Sequence, residues 1–304
     1  MNARVALAAL DVRLRILLPE EYQDAYEEVQ PVSMGSAGLK FDADGKVAWN
    51  DMWKTFCDLA MAGGPPHKGT FLEPGTPAAI AAEGARHQQV MAEIQRGIEL
   101  VTEMPADPSP HPGWVRVECY SAAMAGWLVR AIVMENVAAH ADGILLDLPV
   151  APHFRIEKEI KNVITVIAKT CHYWLGHMPR TQQRSIAGLF DTMAAESPLI
   201  APPRAGEGGS ADGESLAAGV AERVAQQTGF VRSAHRYAGW LGVECPTVRA
   251  AIWMMRALVA ANVLARREGT VLFVPINPAT DPGGDVVTGA VTRTHALATA
   301  RGAL

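Results

Sequence analysis

Three stretches of this chain concentrate side chains that can move protons, hold anions or ligate metals. The segment KTCHYWLGH crowds Lys169, Cys171, His172 and His177 at the end of one apolar-periodic run. An imidazole changes charge near neutral pH, and a lysine can do so once desolvated, so His172 and Lys169 are read as a general acid and base. The second stretch, FCDLAMAGGPPHKG, sets Cys57, Asp58, His67 and Lys68 around a Gly-Gly-Pro-Pro corner, where glycine lets backbone approach a ligand closely. His67 joins the catalytic set. The corner has neither the glycine spacing of a Walker loop nor that of a dinucleotide fingerprint.

The third set is a pair of arginines, Arg130 and Arg256, at equivalent places in two otherwise apolar helices. Two readings stand: each pairs with the repeated glutamate of its unit, Glu118 or Glu244, or both hold an anionic substrate by bidentate hydrogen bonds. Cys57, His67, His172 and His177 are the ligand types for a divalent transition metal. The spacing is unhelpful, because neighbours on an α-helix diverge by about 100° and residues five apart match no chelating pair. The segment KTCHYWLGH would then give one ligand to a site completed from elsewhere. Cys119 and Cys245 precede Ser121 and Thr247, expected helix N-caps, where a thiol is either a lowered-pKa nucleophile or a small buried hydrophobe.

These residues are positioned by a duplication. Residues 113–150 align without a gap on 239–276, with 16 of 38 positions identical. Each copy reads as strand (WVRVEC, WLGVEC), long apolar helix, then strand (ILLDLP, TVLFVP). A fainter third copy is read upstream, where Trp53 and Gly69 repeat the 16-residue spacing of Trp127 to Gly143 and of Trp253 to Gly269. The expected fold is α+β and helix-rich: duplicated strand-helix-strand-helix units of split βαβ, ferredoxin-like type, with parallel strands and an N-terminal helical extension. A pair of winged-helix modules is the alternative.

Along the chain, Leu7, Leu10, Leu14 and Leu17 mark a first helix and EEYQDAYEEV a second. GLKFDADGKVAW reads as a hairpin, Ala78 to Met104 as a helix and PADPSPHPG as a connector. Residues 156–176 form a helix with an apolar stripe and an opposite polar face of Lys161, Thr165, Lys169 and His172. Helices at 181–196 and 216–237 flank a flexible linker, and the tail from Asn277 is weakly patterned. VITVIAKTCH nevertheless parallels VVTGAVTRTH, which would make His172 and His295 equivalent. The domains are accordingly 1–104, 105–197, a linker at 198–213, and 214–304.

A net charge of −5 and a pI near 6 argue against a nucleic-acid partner. Four cysteines do not make a disulfide framework, and no apolar run is long enough to cross a bilayer. The expectation is a cytoplasmic enzyme or cofactor-handling protein. It would act on a small, anionic molecule between the duplicated units, with metal assistance and a homo-oligomeric state as open options. The alternative is a non-catalytic small-molecule sensor or interaction scaffold.

Overall fold

The computed structural model describes residues 3–23, 38–51, 59–204 and 210–304. They form an α+β fold rich in helix with two small sheets, and two compact units: Glu28–Gln183, and Met1–Glu27 together with Arg184–Leu304. Trp53, Cys57, Asp58 and most of EEYQDAYEEV lie outside the described residues. Helix α1 (Ala3–Leu17) buries Leu10, Leu14 and Leu17, which recur at helical spacing, and the chain leaves it at Pro19.

In the unit Glu28–Gln183, Phe41 and Val47 bridge antiparallel around a turn that Gly45 closes at φ 73°. Helix α2 (Pro77–Ala82) starts where the Thr76 side chain accepts from Ala79 N–H. Helix α3 (Gly84–Thr102) follows after a break at Glu83, so the expected single helix is two. Thr102 stops α3: its hydroxyl donates to Ile98 O and accepts from Met104 N–H. Then come β1 (Ala106–Pro108), β2 (Trp114–Glu118), α4 (Ala122–Met134), β3 (His140–Asp142), β4 (Leu145–Pro149) and α5 (Lys161–His172). A π-helical turn flanks α5 on each side, at Ile156–Ile160 and Tyr173–His177. Helix α6 (Arg180–Glu196) runs out of this unit into the next sequence segment.

The second unit holds α7 (Ser210–Thr228), β5 (Trp240–Glu244), α8 (Val248–Ala260), β6 (Arg266–Glu268), β7 (Val271–Pro275) and α9 (Asp285–Arg301), with α1 packed on α8 and α9. A shift of 126 residues carries one unit onto the other in detail. Trp114 pairs with Pro149 and Trp240 with Pro275; Glu118 pairs with Leu145 and Glu244 with Val271. Ser121 and Thr247 cap the two helices, accepting from Met124 and Ala250 N–H. Asn136 and Asn262 end them with left-handed φ of 62° and 64°. The recurrence reaches back to α3 and α7, where Thr228 repeats the two bonds of Thr102, to Val224 O and from Phe230 N–H.

The sheets run β1-β2-β4-β3 and β5-β7-β6, antiparallel throughout. The expected parallel pairing within each unit is therefore corrected, and a duplicated ferredoxin-like arrangement is not borne out. The helix does return the chain to start a new strand, but that strand is the short β3 or β6. It turns back at Gly143 or Gly269, both at φ 58°, before the long strand pairs with β2 or β5. One uncounted strand reverses the direction.

Two further readings change. The weakly patterned tail carries a packed helix, α9, which buries Val287, Val291 and Ala298 against α7 and α8. Helix α7 ends at Thr228, before Gly229 at φ 78°, rather than continuing to Tyr237. In the upstream segment the described residues form bridges and single turns, with no strand-helix-strand unit.

Candidate functional site

Most of the polar face of α5 does not meet solvent; of its four residues only His172 is exposed. Lys161, Thr165 and Lys169 are all buried, and Lys169 is fully so. Its ammonium is 2.7 Å from Oε1 of Glu135, the residue that closes α4, and both side chains have no exposed surface. The same Oε1 accepts from Ala60 N–H at 2.9 Å, and Oε2 accepts from His67 N–H at 2.7 Å. One carboxylate thus ties α5 to both ends of the Gly-Gly-Pro-Pro corner. The corner is stitched down further on. Lys68 N–H donates to Glu135 O, Asn136 Nδ2 donates to Lys68 O at 2.9 Å, and Leu72 N–H donates to Asn136 O. Gly63 begins the corner at φ 102°, a backbone conformation that favours glycine.

His67 sits against this pair. Burial, then the charge of Lys169, push its pKa down to about 3, against a hydrogen bond to the Asn162 side chain that raises it. The ring is therefore neutral at physiological pH. Its Nε2 is sealed from solvent and has no hydrogen-bond partner among the described residues, which leaves Nδ1 as the nitrogen facing Asn162. Lys68 and Lys161, whose charges also act on His67, have pKa values lowered by burial. Three lysines and a neutral imidazole thus share one neighbourhood, with Glu135 the carboxylate paired to Lys169 and Glu159 acting on Lys68 from outside.

The other unit shows what the scaffold itself requires. At the shift of 126, Glu135 corresponds to Ala261. Thr165 donates to Lys161 O and Thr288 to Gly284 O, which aligns α5 with α9 at a shift of 123 and places Thr292 opposite Lys169. The equivalents of β2, β4 and β3 keep their order there as β5-β7-β6, and α9 packs on α8 as α5 does on α4, with Ala261 and Thr292 at these positions. A buried ion pair is expensive to desolvate, and a fold that does without it in one copy does not need it in the other.

His172 and His177 follow Lys169 at the C-terminal end of α5, with His172 exposed where Lys169 is buried. Their Nε2 atoms are 3.0 Å from each other. On an α-helix they would point about 140° apart. The π-helical turn Tyr173–His177 widens the helix and brings residues five apart onto one face, so the divergence expected from α-helical spacing does not hold for this pair. His172 borders an open cleft of about 520 Å³, with Asn50, Glu103, Tyr120 and Gly176 also in its lining. Cys171 is buried, and burial pushes its thiol well above the usual range. Among the described residues no three His, Cys, Asp or Glu side chains come together as metal ligands, so His67 does not join His172 and His177. Cys57 lies outside the described residues.

Arg130 and Arg256 are both buried. Arg130 Nη1 donates to Gly126 O at 2.6 Å, one turn back on its own helix, and burial lowers its pKa to about 10. Glu118 is exposed and does not serve as its partner. The cross-strand ion pair of this sheet is instead Arg116 with the buried Asp147, bonded at 2.8 and 2.9 Å. In the other sheet Arg266 is fully buried beneath the rings of Tyr237 and Phe273 and bonds Glu268 at 2.8 Å. Cys119 and Cys245 are buried and raised to about 12, so the lowered-pKa reading of both is corrected: desolvation outweighs the nearby helix start.

Sequence reasoning reached Lys169 and His67 but missed Glu135 and Asn162, which hold them. A signal for Glu135 existed in the alignment, where MENVA stands opposite AANVL and a charge replaces alanine inside an apolar helix end. Comparison of the chain with protein-family models, with curated proteins and with solved structures finds no match, so the functional reading rests on this geometry.

Proposed function

We propose that the unit Glu28–Gln183 binds a small anionic molecule beside His67, Lys68 and Lys161 and acts on it by proton transfer. The observation that carries this reading is the buried Glu135–Lys169 pair with its adjoining neutral His67, present in one copy of a scaffold whose other copy stands on Ala261 and Thr292. Perturbed titratable groups converging where packing does not require them are the usual mark of a working site. Lys68 and Lys161 attract the anion, and their lowered pKa values suit them to donate or accept protons nearer neutral pH. His67, held neutral by burial, adds an uncharged imidazole beside the two lysines. Glu135 and Lys169 position the corner that carries His67. The buried Arg130 and Arg256 are read as structural.

Calorimetric titration with phosphate and with short dicarboxylates tests the reading. The expected result is saturable binding that weakens about tenfold or more in Lys68→Ala at unchanged melting temperature. Equal affinity in the variant overturns it. A second reading, a non-catalytic sensor, is favoured by a mostly apolar groove of about 760 Å³ lined by Ala6, Leu10, Ala257, Ala290 and Leu297 on α1, α8 and α9. Binding of an apolar dye that is lost in Ala257→Trp, with no anion binding at the lysines, would favour that reading instead.

A further inference from the structure

The geometry points to a second, independent site: we infer that His172 and His177 form a two-histidine clamp for a divalent first-row metal ion at the rim of the 520 Å³ cleft. Two imidazole nitrogens bound to one ion at about 2.0–2.1 Å stand roughly 3 Å apart when they occupy neighbouring positions of a square or octahedral shell. The two Nε2 atoms are 3.0 Å apart. In the metal-free protein the same distance is a hydrogen bond between one protonated and one unprotonated nitrogen, so the apo state already holds the pair in place. Metal uptake requires the donor ring to move its proton to Nδ1 and both Nε2 lone pairs to turn from the line between them towards the ion, with no net charge change in the protein.

The turn that makes the clamp is fixed from behind. Gln183 Nε2 donates to Trp174 O at 3.1 Å and to Met178 O at 2.9 Å, holding both ends of the widened segment. Trp174 is buried against Trp127, with ring centroids 5.9 Å apart, and Tyr173 is buried while its ring lies 5.0 Å from that of His177. Gly176 packs beside the His172 ring, where a Cβ would stand in ordinary contact 3.7 Å from its Cε1. Single π-helical turns inside helices recur at functional sites because the extra residue re-aims side chains. Here the residues re-aimed are two imidazoles, with one ring exposed and the cleft alongside to admit an ion, its waters and a further ligand. An imidazole pair at this separation suits nickel and copper(II), and fits zinc once it opens by a few tenths of an ångström towards the tetrahedral angle. The clamp is separate from the His67 cluster, and its failure would leave the anion-binding reading standing.

The test is titration of the chelator-treated full chain with Zn²⁺ alone by calorimetry, alongside the paramagnetic resonance spectrum of a one-equivalent Cu²⁺ sample. The expected result is one-to-one Zn²⁺ binding that weakens about tenfold or more in His177→Ala and in His172→Ala, together with a copper spectrum of two coordinated imidazoles that falls to one in either variant. Gln183→Ala, which leaves both ligands in the chain, should weaken binding to an intermediate degree. Absence of stoichiometric binding, or wild-type affinity retained in both histidine variants, overturns the inference. Circular dichroism of the metal-free variants confirms that each is folded, and both substituted side chains lie at the surface or half-buried.

Discussion

Removing one partner of the Glu135–Lys169 pair leaves the other charge in a place without water. Lys169→Met should therefore destabilise the protein by about 3–5 kcal/mol, and Glu135→Gln with it should cost less than the two single changes added together. Urea unfolding of the two singles and the double measures this coupling; strict additivity would mean that the pair is not an interacting unit. His67 adds a pH dependence whose sign follows from its neutral folded state. Its folded pKa of about 3 lies below the ordinary 6.5, so between these values the unfolded chain binds more protons and stability rises with pH. That contribution is fully present above pH 6.5 and is lost as the pH falls towards 3. His67→Gln should flatten the fall in unfolding midpoint between pH 7 and pH 4.5, and an unchanged slope would show that the imidazole is not buried in its neutral form.

The helices and strands depend on glycines at two kinds of position. Gly113 enters β2 at φ 85°, and a Cβ there would stand 2.6 Å from Gly75 O. Gly113→Ala should destabilise by more than about 1 kcal/mol, from the strained φ and the collision together. Gly188 lies exposed inside α6 with nothing within 4 Å of an added Cβ, so Gly188→Ala should stabilise by about 0.5–1 kcal/mol. Thermal unfolding of the two variants should shift in opposite directions. At this scale much was legible beforehand: the caps at Ser121 and Thr247, the turns at Gly143 and Gly269 and the ends at Asn136 and Asn262 follow from local chemistry repeated in both copies. The strands β3 and β6 were not legible, because three residues such as HAD or RRE carry too little alternation to register as a strand. Nor was the π-helical turn at Tyr173–His177, whose residues fit an ordinary helix equally well.

For the molecule as a whole, the helix-strand-helix-hairpin order of each unit is compatible with the winged-helix alternative, while the formal charge of −5 opposes a nucleic-acid partner. Gel-shift measurements with duplex DNA at about 0.15 M salt should show no complex; a complex that weakens steeply with added salt would reverse that view. Among the described residues no helix is long and apolar enough to cross a membrane. What the sequence determined by itself was the α+β composition, the repeated pattern and the local punctuation, since these depend on residues near one another in the chain. Tertiary structure alone decided that the strands run antiparallel, that Lys169 points inward onto Glu135 while His172 faces out, and that the partly buried His67 is held neutral beside them. Those outcomes depend on which segments meet across the fold. Burial and charge contact, not spacing along the chain, set the protonation of each group.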